Sequence, residues 1–301
     1  MRNWKGHYKR YLEETGRSDR TVEAYLCDLK VFERWFEETN AEKLRPERVT
    51  ATDCHDFRRH ELKERKVAPS TWNRRRASLI VFVDWAMEKD LLNADPMDGV
   101  AKMKVEELPP EWLDEQQFRS LVRRLDQDVN RALSVSEYEM RKALMYRAAI
   151  ALMLYAGLRV GEVVALVPDD LEINERSGKV IVRDGKGEKH REVPLNLKAR
   201  KALKAWLEWK DCYEQGKPLW YGRKGDPLGV RAIQDYVKQL EHVLEIEMTP
   251  HSFRHTFGKR LADKGVPVPY IQKLMGHASM ETTARYIQAG WDDLVDATES
   301  L

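Results

Sequence analysis

The segment TPHSFRHTFGKRL, residues 249–261, sets two histidines one helical turn apart with an arginine between them. A helical pair such as His251 and His255 can share one face around zinc. A zinc protease of that kind carries Glu after the first histidine, whereas Ser252, Phe253 and Arg254 intervene here. A guanidinium beside a divalent cation is electrostatically unfavourable, and no third ligand stands at a standard spacing, so no metal site is expected. His255, among Phe253, Thr256, Phe257 and Leu261, reads as packing. His251 and Arg254 are three apart and therefore neighbours on one helix face. Pro250 at the helix start sets them near an N-terminal turn, where backbone N–H groups and the helix dipole favour an anion. The chemistry that fits is the grip on a phosphate. Alone, H-x-x-R is weak, because such a pair occurs by chance in many sequences and an arginine paired with a carboxylate explains it better.

Three further fragments carry residues of the same kind. YAGLRVGEVVAL puts Arg159 just after a helix-ending glycine, at the start of the next helix. RDGKGEKHREVPL puts Lys186 at the tip of a hairpin. LMGHASMETTARYIQ puts His277 at a glycine-marked turn, with Tyr286 nine residues later. Each has an ordinary explanation: an ion-paired arginine, a solvated turn lysine, a turn histidine, a tyrosine on a helix face. Glu162, three residues after Arg159, reads as structural, with support of an active-site side chain as the alternative.

The elements that must position these residues follow from periodicity. In SDRTVEAYLCDLKVFERWFEE, Val22, Tyr25, Leu26, Leu29, Phe32, Trp35 and Phe36 recur at the spacing of one helix face, with Ser18 or Asp19 as cap. ATDCHDFRRHELKERK is a second helix. PSTWNRRRASLIVFVDWAMEKD is a third, with Trp72, Leu79, Val83 and Ala86 on one side, Arg74 opposite that stripe and Arg75 at its border. Both arginines read either as ordinary solvated charges or, as candidate DNA-binding residues, as contacts to a phosphate backbone. ADPMDGVAKMKVEELPPEW, with three prolines and a glycine, breaks the periodicity as a linker would. The expected organisation is therefore an N-terminal helical domain over 1–100, a linker over 101–112, and a second domain over 113–301. The second domain opens with a capping box at Asp114 and Gln117 and contains a long apolar helix ending at Gly157. LEINERSGKVIVRDGKGEKHREVPLN, rich in β formers and punctuated by Ser-Gly and Gly-Lys-Gly turns, is the convincing β region. Helices follow in ARKALKAWLEWK, VRAIQDYVKQLEHVLEI, the segment at 249–261 and SMETTARYIQAG. The fold class expected is mainly α with a small antiparallel sheet.

Composition narrows the class without naming it. The chain of 301 residues is long enough for two domains, and no apolar run approaches a membrane span. The charged N-terminus lacks the features of a secretory signal, so a cytoplasmic protein without membrane association is expected. Cys27, Cys54 and Cys212 are odd in number and free of C-x-x-C pairing, which argues against a disulfide framework and a zinc cluster. With 52 Lys+Arg against 50 Asp+Glu, the net charge of +2 does not by itself announce a nucleic-acid binder. The sign of a local patch matters more than the sum.

Taken in order, the fragments resemble the tyrosine recombinase, or phage integrase, family, including its Xer type, over nearly the whole chain. That family has an arginine in a G-L-R turn, a hairpin lysine, H-x-x-R, a G-H turn and a tyrosine about nine residues on. The matching positions are Arg159, Lys186, His251, Arg254, His277 and Tyr286. TVEAYLCDLKVFERWF and STWNRRRASLIVFVDWA look like the family's core-binding domain. One departure follows the tyrosine, where Ile287 and Gln288 replace a small residue and a His often seen there.

The resemblance implies a site-specific recombinase that cleaves and rejoins double-stranded DNA through a 3′-phosphotyrosine intermediate and a Holliday junction. Tyr286 would be the nucleophile, Arg159, Arg254 and His277 phosphate ligands, His251 a base or orienting group, and Lys186 the general acid. No metal, ATP or other cofactor is implied. It further implies a homotetramer on DNA, in which the tail AGWDDLVDATESL either docks on a neighbouring protomer or folds back on its own domain. The alternatives are DNA relaxation by the same chemistry, as in type IB topoisomerases, and a DNA-binding protein that retains the fold.

Overall fold

The computed structural model describes residues 3–105, 111–183, 190–209, 218–222 and 225–276. The chain divides into two compact units, Met1–Leu108 and Pro109–Leu301. Architecture is mainly helical, with one three-stranded antiparallel sheet.

The first unit is helical. α1 (Trp4–Glu14) places Trp4, Tyr8 and Leu12 one turn apart on a buried line, the repeat of an amphipathic helix. α2 (Asp19–Asn40) is capped by Ser18, whose side chain accepts from the Thr21 N–H, and buries Val22, Leu29, Phe32, Trp35 and Phe36. α3 (Ala51–Arg59) opens with a reciprocal Thr50/Asp53 capping box and continues into one wider turn, His60–Glu64. α4 (Pro69–Glu88) buries Trp72, Leu79, Phe82, Val83, Trp85 and Ala86. These faces meet in an aromatic core. Cys54 lies within it, and burial pushes its thiol up to about 12, leaving it inert.

α4 also binds the chain that leaves the unit. Trp72 Nε1 donates to the Ala101 carbonyl (3.2 Å), and the Asn73 amide exchanges two hydrogen bonds with the Met103 backbone (2.9 and 2.8 Å). The start of the expected linker is thus held against α4 by side chains on its first turn.

In the second unit, α5 (Glu115–Ala132) begins with the Asp114/Gln117 capping box. α6 (Glu137–Ala156) is buried nearly all round from Ala143 to Ala156, as expected for a helix at the centre of a core. It ends at Gly157 in the left-handed conformation (φ +67°). α7 (Val160–Ala165) follows directly. The sheet has the order β1 (Leu171–Ile173), β2 (Gly178–Arg183), β3 (His190–Pro194), with Val180 opposite Val193 and Val182 opposite Arg191. α8 (Leu197–Trp209), α9 (Val230–Leu244), α10 (Pro250–Ala262) and α11 (Val268–Met275) complete the described unit. No helix among the described residues is long and apolar enough to cross a membrane.

Candidate active site

Three helix ends converge in the second unit: the C-terminus of α6, the N-terminus of α7 and the C-terminus of α11. Arg159 is the N-cap residue of α7. Glu162 reaches back from the third helical position, its Oε2 accepting the Arg159 backbone N–H (2.7 Å) and its Oε1 accepting from Arg159 Nη1 (2.8 Å). This is the carboxylate half of a capping box, so one residue both starts the helix and aims the arginine. Arg159 Nη2 donates to the Gly276 carbonyl (3.0 Å), while 41% of the side chain remains exposed.

Arg254 sits deeper, only 3% exposed. α10 starts with a Thr249/Ser252 capping box and Pro250 in its first turn, which fixes Arg254 one turn inside. Its Nη1 donates to the Gly157 carbonyl and its Nη2 to the Met275 carbonyl. Both carbonyls terminate helices, where a cation is favoured by the dipole and by unpaired acceptors. Glu162 Oε2 lies 3.9 Å from Arg254 Nη1.

A third guanidinium completes the cluster, and the sequence reading missed it. Arg191, on the face of β3 shared with buried Val193, binds Glu162 with two donors (2.9 and 2.7 Å). Its Nε donates to the Leu274 carbonyl (3.3 Å). The consecutive carbonyls of Leu274, Met275 and Gly276 are therefore taken by Arg191, Arg254 and Arg159 in turn. Burial alone would raise the Glu162 pKa; hydrogen bonds from Arg191 and from the Arg159 backbone, with the arginine charges, outweigh it and hold the carboxyl below its ordinary value. Glu162 is thus the hub of this cluster. Its spacing of three from Arg159, the interval of a capping carboxylate, was the available signal.

Two glycines have steric reasons here. At Gly157 a Cβ would lie 2.4 Å from the Phe257 ring, and at Gly276 (φ +63°) it would lie 2.9 Å from Arg191 Cζ. Both positions also need the left-handed backbone that glycine adopts freely.

Of the other expected site residues, His251 is exposed in the first turn of α10. His255 is half-buried rather than in the core, its ring 6.4 Å from that of His251. The buried line of α10 runs through Phe253, Arg254 and Thr256 and leaves His255 at its edge. Lys186 falls between the paired strand ends Arg183 and His190 and lies outside the described residues, as do His277, Tyr286, the SMETTARYIQAG segment and the tail. Among the described residues, no group of three His, Cys, Asp or Glu side chains is placed to hold a metal ion.

In the first unit, Arg74 and Arg75 meet different surroundings. Arg74 binds Asp28 yet keeps 49% of its side chain exposed. Arg75 is 12% exposed and binds Glu61, with Asp28 at 3.7 Å. Asp28 and Glu61 are themselves buried. Arg75 therefore neutralises two internal carboxylates, which removes it from a solvent-facing role.

Comparison with known proteins places these units. Residues 112–290 match the Phage integrase family, and residues 6–90 match the Phage integrase, N-terminal SAM-like domain. Tyrosine recombinase XerC of Neisseria meningitidis serogroup C is 30% identical over 302 residues, covering 96% of this chain and 92% of that protein. Tyrosine recombinase XerC of Myxococcus xanthus is 30% identical over 305 residues, covering 97% and 95%. Among solved structures, the Tn1549 transposon integrase in complex with circular intermediate DNA aligns with a TM-score of 0.69 at 20% identity, over 97% of both chains. XerH site-specific recombinase bound to difH substrate aligns with a TM-score of 0.70 at 18% identity, over 92% of this chain and 78% of that one. With both family domains matched in order and relatives at this identity over nearly its full length, the chain belongs to the tyrosine recombinase family of site-specific recombinases.

Proposed function

We propose that this recombinase cuts and rejoins duplex DNA with Arg159 and Arg254 gripping the scissile phosphate and Tyr286 as nucleophile. The observation that carries the reading is the juxtaposition of Arg159 and Arg254 at the meeting of α6, α7 and α11, one partly exposed and one fixed by buried carbonyls. A phosphodiester already carries negative charge and gains more on its non-bridging oxygens during attack, and preorganised guanidinium donors are suited to stabilise it.

In the forward step Tyr286 Oη attacks phosphorus and the bond to the 5′ oxygen breaks, leaving a 3′-phosphotyrosine and a free 5′ hydroxyl. The phenol, with an ordinary pKa of about 10, must lose its proton during attack. His251 accepts that proton or orients the phosphate, Lys186 donates a proton to the departing 5′ oxygen, and His277 supplies a further hydrogen bond. The phosphotyrosine conserves the bond energy, so rejoining runs through the same groups with their roles exchanged and requires no ATP. Neither cleavage nor rejoining requires a metal in this scheme. Double-stranded DNA sites are the partners, bound by a homotetramer that exchanges strands through a Holliday junction in the cytoplasm. Arg74 contributes a phosphate contact from the first unit. The tail after Tyr286 docks on a neighbouring protomer or on its own domain.

The test is incubation with a nicked DNA site and detection of a covalent protein–DNA adduct. The adduct forms with chelator present and disappears in Tyr286→Phe, which retains DNA binding. An adduct that survives this substitution removes Tyr286 as nucleophile, and a strict Mg²⁺ requirement for cleavage removes the metal-free scheme.

A further inference from the structure

Arg191 is not one of the six residues assigned to the reaction, yet its guanidinium hydrogen bonds to Glu162 and Leu274 reach groups that bear on Arg159. Two go to the Glu162 oxygens, 29 positions away in sequence, and the third to the Leu274 carbonyl, 83 positions away. Arg159 stands on the same carboxylate and on the Gly276 carbonyl of the same helix end. The contacts close a ring running from Arg159 through Glu162, Arg191 and the end of α11 back to Arg159. The ring has no slack beside Gly276, where a single added Cβ would press on the Arg191 guanidinium at 2.9 Å.

We propose that Arg191 is a positioning residue for strand cleavage: it shares the charge of Glu162 and anchors the α11 terminus, and so keeps Arg159 directed at the scissile phosphate rather than drawn onto Glu162. This rests on the assignment of Arg159 to that phosphate. The physical argument is competition. Each Glu162 oxygen accepts from both arginines, and a planar guanidinium fork matches a carboxylate with two parallel donors. Without Arg191, the charge of Glu162 falls chiefly on Arg159, and the Leu274 carbonyl loses its donor. Arg159 is then both misplaced and more nearly neutralised when the phosphate needs it.

The experiment uses a nicked duplex recovered from a random-sequence pool by capture of the covalent adduct on the wild-type chain. Adduct formation is followed in a single turnover at saturating protein, with DNA affinity measured separately. Arg191→Gln is expected to slow adduct formation at least about 10-fold while the dissociation constant changes by less than about threefold. Arg191→Lys restores charge without the fork and falls between the two. Gly276→Ala, which displaces the guanidinium, reproduces the defect, and the double variant is slower than the worse single by no more than about threefold, as for residues acting through one contact. On a methylphosphonate linkage, which lacks the charge that Arg159 neutralises, the penalty for Arg191→Gln shrinks.

A wild-type rate in Arg191→Gln overturns the proposal. So does a loss confined to affinity, or an equal penalty on the neutral linkage, which would mark a purely structural residue. If Arg191→Gln does not fold, Arg191→Lys and Gly276→Ala carry the same comparison. The underlying reading fails separately: a wild-type chain that forms no adduct, or an adduct retained in Tyr286→Phe, removes the recombinase chemistry itself.

Discussion

A half-enclosed carboxylate among three guanidiniums has its charge fixed by its neighbours, and Glu162 is such a group. Removing its charge leaves Arg159 and Arg191 facing each other with one neutral oxygen between them. For Glu162→Gln we expect a loss of about 3 to 5 kcal/mol at neutral pH, the range for breaking one side of a largely buried ion pair. The sign of the pH effect follows from the lowered pKa. The stabilisation is complete above the ordinary carboxylate value and is lost as the pH falls through the lower folded-state value. Thermal unfolding of the two proteins should therefore show a gap at pH 7 that closes below about pH 4; a gap constant with pH would mean that the charge is not what matters. At this scale the sequence showed the arginines that belong to a recognisable order, Arg159 and Arg254. It hid Arg191, because nothing in KHREVPL reveals a carboxylate 29 residues upstream. For Arg75 too, helical periodicity gives the side on which an arginine lies, not the buried Asp28 and Glu61 that meet it there.

Elements were legible where a long period or a cap announces them. α2, α4 and α6 follow from their repeats, α5 from Asp114 and Gln117, and the sheet from its β formers and turns. Short or polar elements were not. α11 has eight residues, too few for a period to show, α7 with six was marked only by the glycine before Arg159, and α1 is charged enough to conceal the line of Trp4, Tyr8 and Leu12. Yet α7 and α11 hold the site, because their ends supply the N-cap and the carbonyls that the arginines use. The end of α6 is the third support. For Gly157→Ala, the left-handed backbone alone costs about 1 to 2 kcal/mol, and the new methyl also strikes the Phe257 ring. A combined Gly157→Ala/Phe257→Ala chain should relieve the steric part while keeping the backbone part, so the two changes together should cost less than their sum. Strict additivity in chemical denaturation would show that the ring does not press on this turn.

At the scale of the whole molecule, the net charge of +2 provides almost no general attraction for DNA, so affinity has to come from particular cations at particular phosphates. Each phosphate neutralised on duplex DNA releases condensed counterions and contributes about 0.9 to the slope of log affinity against log salt. Arg74 and Arg75 separate the two uses a cation can have. Arg74 shares Asp28 but keeps half of its side chain in solvent, so Arg74→Ala should flatten the salt slope by about 1. Arg75→Ala leaves the buried Glu61 and Asp28 with only the more exposed Arg65 and Arg74, so its effect should fall on the stability of the first unit, by about 3 kcal/mol, with the slope unchanged below its unfolding temperature. Titrations of a duplex site at several salt concentrations, paired with thermal unfolding of each variant, separate these outcomes. A reduced slope in Arg75→Ala with unaltered stability would reverse the assignment and return Arg75 to the DNA-facing surface.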